Sequence, residues 1–81
     1  MTSDTDTLKA RVGARLRTLR RARDLSQRDV ASLLNTDAAE VSRHESGARC
    51  PSVPLLARYA EVLDVPIYEL LRFDEPVVTL G

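Results

Sequence analysis

The sequence predicts an all-α fold, a compact bundle of five short helices. Three observations carry this. Apolar residues recur at helical spacing, as at Val12, Leu16 and Leu19. Helix starts and stops follow one another in order, with Ser26 and Asp37 as N-caps and Asn35 and Gly47 as residues that accept a left-handed backbone. Only 4% of the 81 residues are aromatic and none is Trp, so Leu, Val and Ala must fill a small interior.

The elements follow in order. Residues 1–7 are polar and acidic and read as a flexible arm. A first helix is expected over about residues 7–23, with Leu8 one turn ahead of Val12 on the same apolar face. Gly13 weakens it near its start, and the Asp24–Leu25 step ends it. Ser26 opens a second helix over about residues 26–34, with Asp29 as a capping-box acid three residues on. Val30, Ala31, Leu33 and Leu34 are its expected buried residues. Asn35 turns the chain, and Asp37 caps a third helix over about residues 37–46, which Gly47 stops. Pro51 and Ser52 lead into a fourth over about residues 52–63, burying Val53, Leu56, Tyr59, Ala60 and Leu63. Pro66 stands near the first position of a short fifth helix over about residues 66–72. Pro76 prevents that helix from running on, and residues 73–81 form a tail with Phe73, Val77, Val78 and Leu80 as its apolar residues. One domain over residues 8–72 accounts for the chain.

Charge narrows the function. Twelve basic and twelve acidic residues cancel, which at first argues against a polyanionic ligand. Their distribution reverses that argument. Residues 9–49 carry ten basic and five acidic side chains, whereas residues 50–81 carry two and five. A basic face with an acidic back suits a polyanion. No run of 18 apolar residues exists to span a membrane. The first residues lack a basic and apolar leader pattern, so a cytoplasmic protein is expected. Cys50 and His44 are the sole residues of their kinds, which leaves no basis for an intrachain disulfide or a Cys/His zinc cage. No cofactor or metal is expected. The sequence shows no glycine-rich phosphate loop and no base beside Cys50, so it does not read as an enzyme.

The segment from Gln27 to Ser46 carries the most chemistry. It holds two short amphipathic stretches joined by a turn, and the second is too polar on one face to be an ordinary core helix. Ala31 is small where two helices would cross closely. Asn35 accepts positive φ, and Val30, Leu34 and Val41 supply the inner apolar faces. Residues 27–46 therefore read as a helix-turn-helix, whose second helix enters the DNA major groove.

The stretches LRTLRRARDLSQRDVASLL, EVSRHESGARCPS and LLARYAEVLDVPIYELL resemble the Xre/Cro-type helix-turn-helix family of phage repressors and bacterial regulators. The shared features are an Arg late in the first helix, Ser-Gln opening the second, Ser-Arg-x-Glu-x-Gly ending the third, and a late Leu-x-Val-Pro. The resemblance spans about residues 8–72. It implies a five-helix bundle of the phage-repressor DNA-binding type that binds an operator, commonly as a dimer. It implies that Arg20 and Glu45 form a partly buried structural ion pair, which a bidentate geometry suits. It places Gln27 at a phosphate beside the start of the second helix, with Ser26, Arg28, Ser46 and Arg49 as further phosphate contacts. It assigns base reading to Ala38, Ala39, Ser42 and Arg43. Arg43 is the strongest of these, since a guanidinium grips guanine O6 and N7 together. Glu40 either accepts from cytosine N4 or completes a capping box with Asp37. Two inner positions depart from the family pattern, Thr36 and His44. His44 lacks any metal or catalytic partner, and a half-buried packing histidine is expected, one that would make operator binding pH-sensitive.

Two functions follow as expectations. The first is a sequence-specific regulator of transcription, a repressor or autoregulator that binds double-stranded DNA as a homodimer on a palindromic operator. The second is an antitoxin-type protein that binds a toxin partner and represses its own operon, with the acidic C-terminal third as the partner surface. Val65, Ile67, Leu70, Leu71 and the residues from Val77 to Leu80 either close the core or form the dimer contact, and the sequence does not divide them.

Overall fold

A computed structural model describes residues 4–73. It contains four α-helices: α1 (Asp4–Ala22), α2 (Gln27–Leu34), α3 (Ala38–Ser46) and α4 (Val53–Leu63). A 3₁₀ helix, Ile67–Leu71, closes the series, and no strand occurs among the described residues. The five α-helices expected from the sequence are thus four and a 3₁₀ turn. The physical reason is local. Only five residues lie in this turn, Pro66 offers no side-chain cap, and so short a segment favours the tighter i→i+3 bond of Glu69 N–H to Pro66 O (3.0 Å).

The boundaries follow from caps. Ser26, Asp37 and Ser52 each stand in extended conformation and accept a backbone N–H from the first turn of α2, α3 and α4. Asn35, Asp64 and Gly47 end these helices in the left-handed region, as does Asp24 in the turn after α1. The first helix begins at Asp4, earlier than the expected start near residue 7. The expected arm therefore lies outside the described residues only at positions 1–3. The tail beyond Phe73 lies outside them as well.

One core joins every element. Val12 and Leu16 of α1, Val30, Ala31 and Leu34 of α2, Val41 of α3, and Leu56, Tyr59, Ala60 and Leu63 of α4 are buried together with Leu70. The 3₁₀ helix thus contributes Leu70 to the core, while Val65 is partly buried and Ile67 and Leu71 face outward. Some residues expected inside are outside. Leu33 is 59% exposed because it points about 100° away from the direction shared by Val30, Ala31 and Leu34. Val53, at the first position of α4, is 71% exposed. Leu8 is also largely exposed, so the apolar face of α1 effectively starts at Val12. Thr36, expected at an inner position, is exposed, and its side chain leaves the core unaffected.

Gly13 is more than a weak point in a helix. It lies where α1 meets the end of α3. A Cβ there would stand 2.8 Å from the Glu45 carbonyl carbon and closer still to the carbonyl oxygens of His44 and Glu45. Its lack of a side chain lets the two backbones touch. Two residues further along, Arg15 ties α1 to the 3₁₀ helix, donating to Glu69 O (2.8 Å) and Glu69 Oε2 (2.8 Å).

Candidate nucleic-acid interface

The frame of the site is a buried ion pair. Arg20 Nε donates to Glu45 Oε2 at 2.6 Å and Nη2 to Oε1 at 2.9 Å, a two-point contact between α1 and α3. Arg20 Nη1 also donates to Leu25 O at 2.8 Å, which fixes the chain entering α2. The Glu45 hydrogen bond holds the Arg20 guanidinium above its ordinary pKa against the opposing effect of burial. Gln27 completes the cluster, its Nε2 donating to Glu45 Oε1 at 3.1 Å. The Gln27 side chain is therefore turned inward, onto the strut.

At the start of α2 the capping box is reciprocal. Asp29 N–H donates to Ser26 Oγ (2.9 Å) and Ser26 N–H to Asp29 Oδ2 (2.8 Å). The Ser26 backbone N–H, followed by its hydroxyl, holds the Asp29 carboxyl below its usual range. The first intrahelical bond of α2 is Val30 N–H to Ser26 O, so the N–H groups of Gln27 and Arg28 precede the ladder, as N–H groups that favour an anion do. Arg28 is exposed beside them.

The outer side of α3 presents Ala39, Ser42, Arg43 and Ser46 as one stripe at spacings of three and four residues, all exposed, with Ala38 half-buried at its edge. Arg49 stands in the following loop, which Arg49 N–H anchors to Arg43 O at 3.2 Å. The Ser46 hydroxyl braces the same turn, donating to Arg43 O (3.1 Å) and accepting from Ala48 N–H (3.3 Å). The stripe is chemically sparse: two methyl groups, two hydroxyls and one guanidinium.

Glu40 departs from the expected capping box. Asp37 Oδ1 accepts from Glu40 N–H at 2.8 Å, but the Glu40 carboxylate does not turn back to complete a box. It binds Arg43 Nη1 (3.0 Å), Arg49 Nη1 (3.3 Å) and His44 Nε2 (3.1 Å). Burial pushes the Glu40 carboxyl up, but the hydrogen bond and charge of Arg49 and the Arg43 bond outweigh it, and the group sits below its usual range. Glu40 with Arg43 and His44 at i+3 and i+4 is a spacing visible in sequence, whereas the Arg49 contact depends on the loop.

His44 was expected half-buried and is almost fully buried, packed edge-on against Tyr59 with Nδ1 2.7 Å from its hydroxyl. Glu40 accepts only, so Nε2 carries the proton of a neutral ring and Nδ1 accepts from Tyr59 O–H. Burial holds the Tyr59 hydroxyl well above its usual range, which keeps that proton on the oxygen. Burial lowers His44 below its ordinary value, and the charges of Arg49 and Arg43 add to this against the opposing pull of Glu40. Every buried side-chain polar atom among the described residues has a hydrogen-bond partner.

Among the described residues, no group of His, Cys, Asp and Glu is arranged to hold a metal. None of the described helices is long and apolar enough to cross a membrane. Cys50 is exposed.

Known proteins are similar to this chain in sequence and fold. Residues 11–73 match the family described as "Helix-turn-helix domain". The restriction-modification controller protein C.AhdI from Aeromonas hydrophila is 35% identical, over 84% of this chain and 99% of that one, with a TM-score of 0.79. The DNA-binding domain of BldD is 32% identical, over 89% of this chain and 100% of that one, with a TM-score of 0.75. SinR, a master regulator for biofilm formation solved in complex with DNA, is 26% identical over 75% of this chain and 98% of that one, with a TM-score of 0.70. No curated protein matches the chain.

Proposed function

The chain belongs to the Xre/Cro-type, phage-repressor-like helix-turn-helix family of transcription regulators, and we propose that it binds double-stranded DNA sequence-specifically as a homodimer on a palindromic operator. The observation that carries this reading is the outer stripe of α3. It is exposed and sparse, and it sits on a helix whose inner side is bolted to α1 through Arg20 and Glu45. A helix held this firmly and left bare on one side fits the major groove.

In this reading Ala38, Ala39, Ser42 and Arg43 face base edges. Arg43 takes guanine, while the alanines admit the helix closely or pack on a thymine methyl. Ser26, Gln27, Arg28, Ser46 and Arg49 lie along the phosphates. Gln27 does so through its backbone N–H at the start of α2, because its side chain serves Glu45. Ile67, Tyr68 and Leu71 form an exposed apolar patch on the 3₁₀ helix, beside a groove lined by Ala57, Ala60 and Val65, and this surface supports the dimer contact. Occupying an operator is all that a repressor or autoregulator of this size requires, and a cytoplasmic location is consistent with that role.

Selection of duplexes from a random library tests the proposal. Enrichment of two half-sites about 34 Å apart, one helical turn, is the expected result. Affinity should fall steeply with salt as several phosphates are neutralised. A pool without a common motif, bound with no salt dependence, would sink the reading.

A further inference from the structure

Glu40 sits at the centre of a polar cluster, and the DNA contacts above give the carboxylate itself no role. Three side chains converge on its carboxylate: Arg43 on Oε2, and His44 and Arg49 on Oε1. The two arginines are exposed and lie on the outer side of α3 and its loop, whereas His44 is buried. Behind His44 stands Tyr59 of α4. A continuous chain of polar contacts therefore runs from Tyr59 of α4 through His44 and Glu40 of α3 to the two exposed guanidinium groups.

Such a chain changes what a surface carboxylate does. An exposed Glu–Arg pair is loosely held, because ordering two long side chains offsets its weak attraction. Here the Glu40 side chain is only 21% exposed, and the buried His44 ring contacts it from behind. Arg43 has five donors in one plane and Glu40 uses one of them. Glu40 thus holds the guanidinium at one nitrogen while other donors are left for guanine O6 and N7. A carboxylate at this place also repels phosphates, which weakens docking wherever that open edge meets no guanine. Both effects favour the right site over wrong ones.

We infer that Glu40 is a specificity-determining residue acting through Arg43, and that Tyr59 and His44 are positioning residues that hold its carboxylate in place. The inference rests on the reading of α3 as the DNA-reading helix.

The test compares two probes: a duplex enriched by the wild-type protein from a random library, and a scrambled duplex of equal length and composition. The affinity ratio between them is measured for wild type, Glu40→Gln, Arg43→Ala, the double variant and Tyr59→Phe. Glu40→Gln is expected to tighten binding to the scrambled duplex and to lower the ratio by about tenfold, within the discrimination of one bidentate contact. In the Arg43→Ala background the same change should leave the ratio unaltered. Tyr59→Phe should lower it in the same direction by a smaller factor. A merely structural role for Glu40 would lower affinity for both duplexes alike and in both backgrounds. An unchanged ratio in Glu40→Gln, or an equal fall with and without Arg43, overturns the inference alone. A wild-type protein that enriches no sequence overturns the reading of α3, and this inference with it.

Discussion

The two sides of α3 are built on opposite principles. Its inner side carries Val41, His44 and Glu45, all buried, with Glu45 bound to α1 and α2, His44 Nδ1 to Tyr59 of α4 and His44 Nε2 to Glu40 of the same helix. Its outer side carries Ala39, Ser42 and Arg43, all exposed, with little chemistry beyond one guanidinium. One nine-residue helix thus divides between scaffold and reading surface. The inner side spends its charges on orientation, so substitutions there act on stability first. The outer side contributes little to the fold, so substitutions there act on binding.

The largest break in this division comes from the strut. Glu45→Ala strands a buried guanidinium and should cost about 3–5 kcal/mol, read as a fall in the denaturant midpoint. A loss below about 1 kcal/mol would place the pair among ordinary surface bridges. Next comes Gly13→Ala, where a methyl group meets the backbone of α3 directly. About 3 kcal/mol is expected, the upper end for overpacking, because backbone carbonyls yield less than side chains. A neutral or stabilising result would show that α1 and α3 separate easily. Leu71→Asp touches neither side of α3 and probes the far end of the molecule. Sedimentation should show weaker self-association by about 2 kcal/mol with the monomer still folded, and an unaltered mass would remove the 3₁₀ patch from the dimer.

The smallest effect is a pH dependence of the inner side. The folded His44 has a pKa below its ordinary value of 6.5, so the unfolded chain takes up the proton first as pH falls. The stabilisation is complete above that ordinary value and is lost progressively below it. Glu40, also lowered, acts in the same direction at more acidic pH. Thermal midpoints measured from pH 7.5 downward should therefore decline first through the histidine range. His44→Gln should lack that first step, and a variant that keeps it would assign the step elsewhere.

Local chemistry was readable from the sequence, and proximity across the fold was not. Ser26, Asp37 and Ser52 act within three residues of themselves, and Asn35 and Gly47 need only their own backbone, so helix order and the turns were legible. Hydrophobicity alone does not give helical phase, which is why Leu33 and Val53 were misplaced. The 3₁₀ turn looked like an α-helix because its apolar spacing suits either. Gly13 reads as a weak helix residue until α3 is seen lying against it. The hub at Glu40 was half legible. Arg43 and His44 follow at helical spacing, but Arg49 arrives from a loop and Tyr59 from another helix. Composition alone also obscured the polarity of the molecule, since the zero net charge conceals a basic α1–α3 region.

The division of α3 is tested most directly by the base-by-base discrimination of Arg43→Ala against wild type. Each base pair of the selected half-site is substituted in turn, and the stability of the variant is recorded alongside. Discrimination should be lost by about 1–3 kcal/mol at a single guanine position per half-site, with the unfolding midpoint unmoved. Uniform weakening across all positions, or a fall in stability comparable to that of Glu45→Ala, would contradict the account.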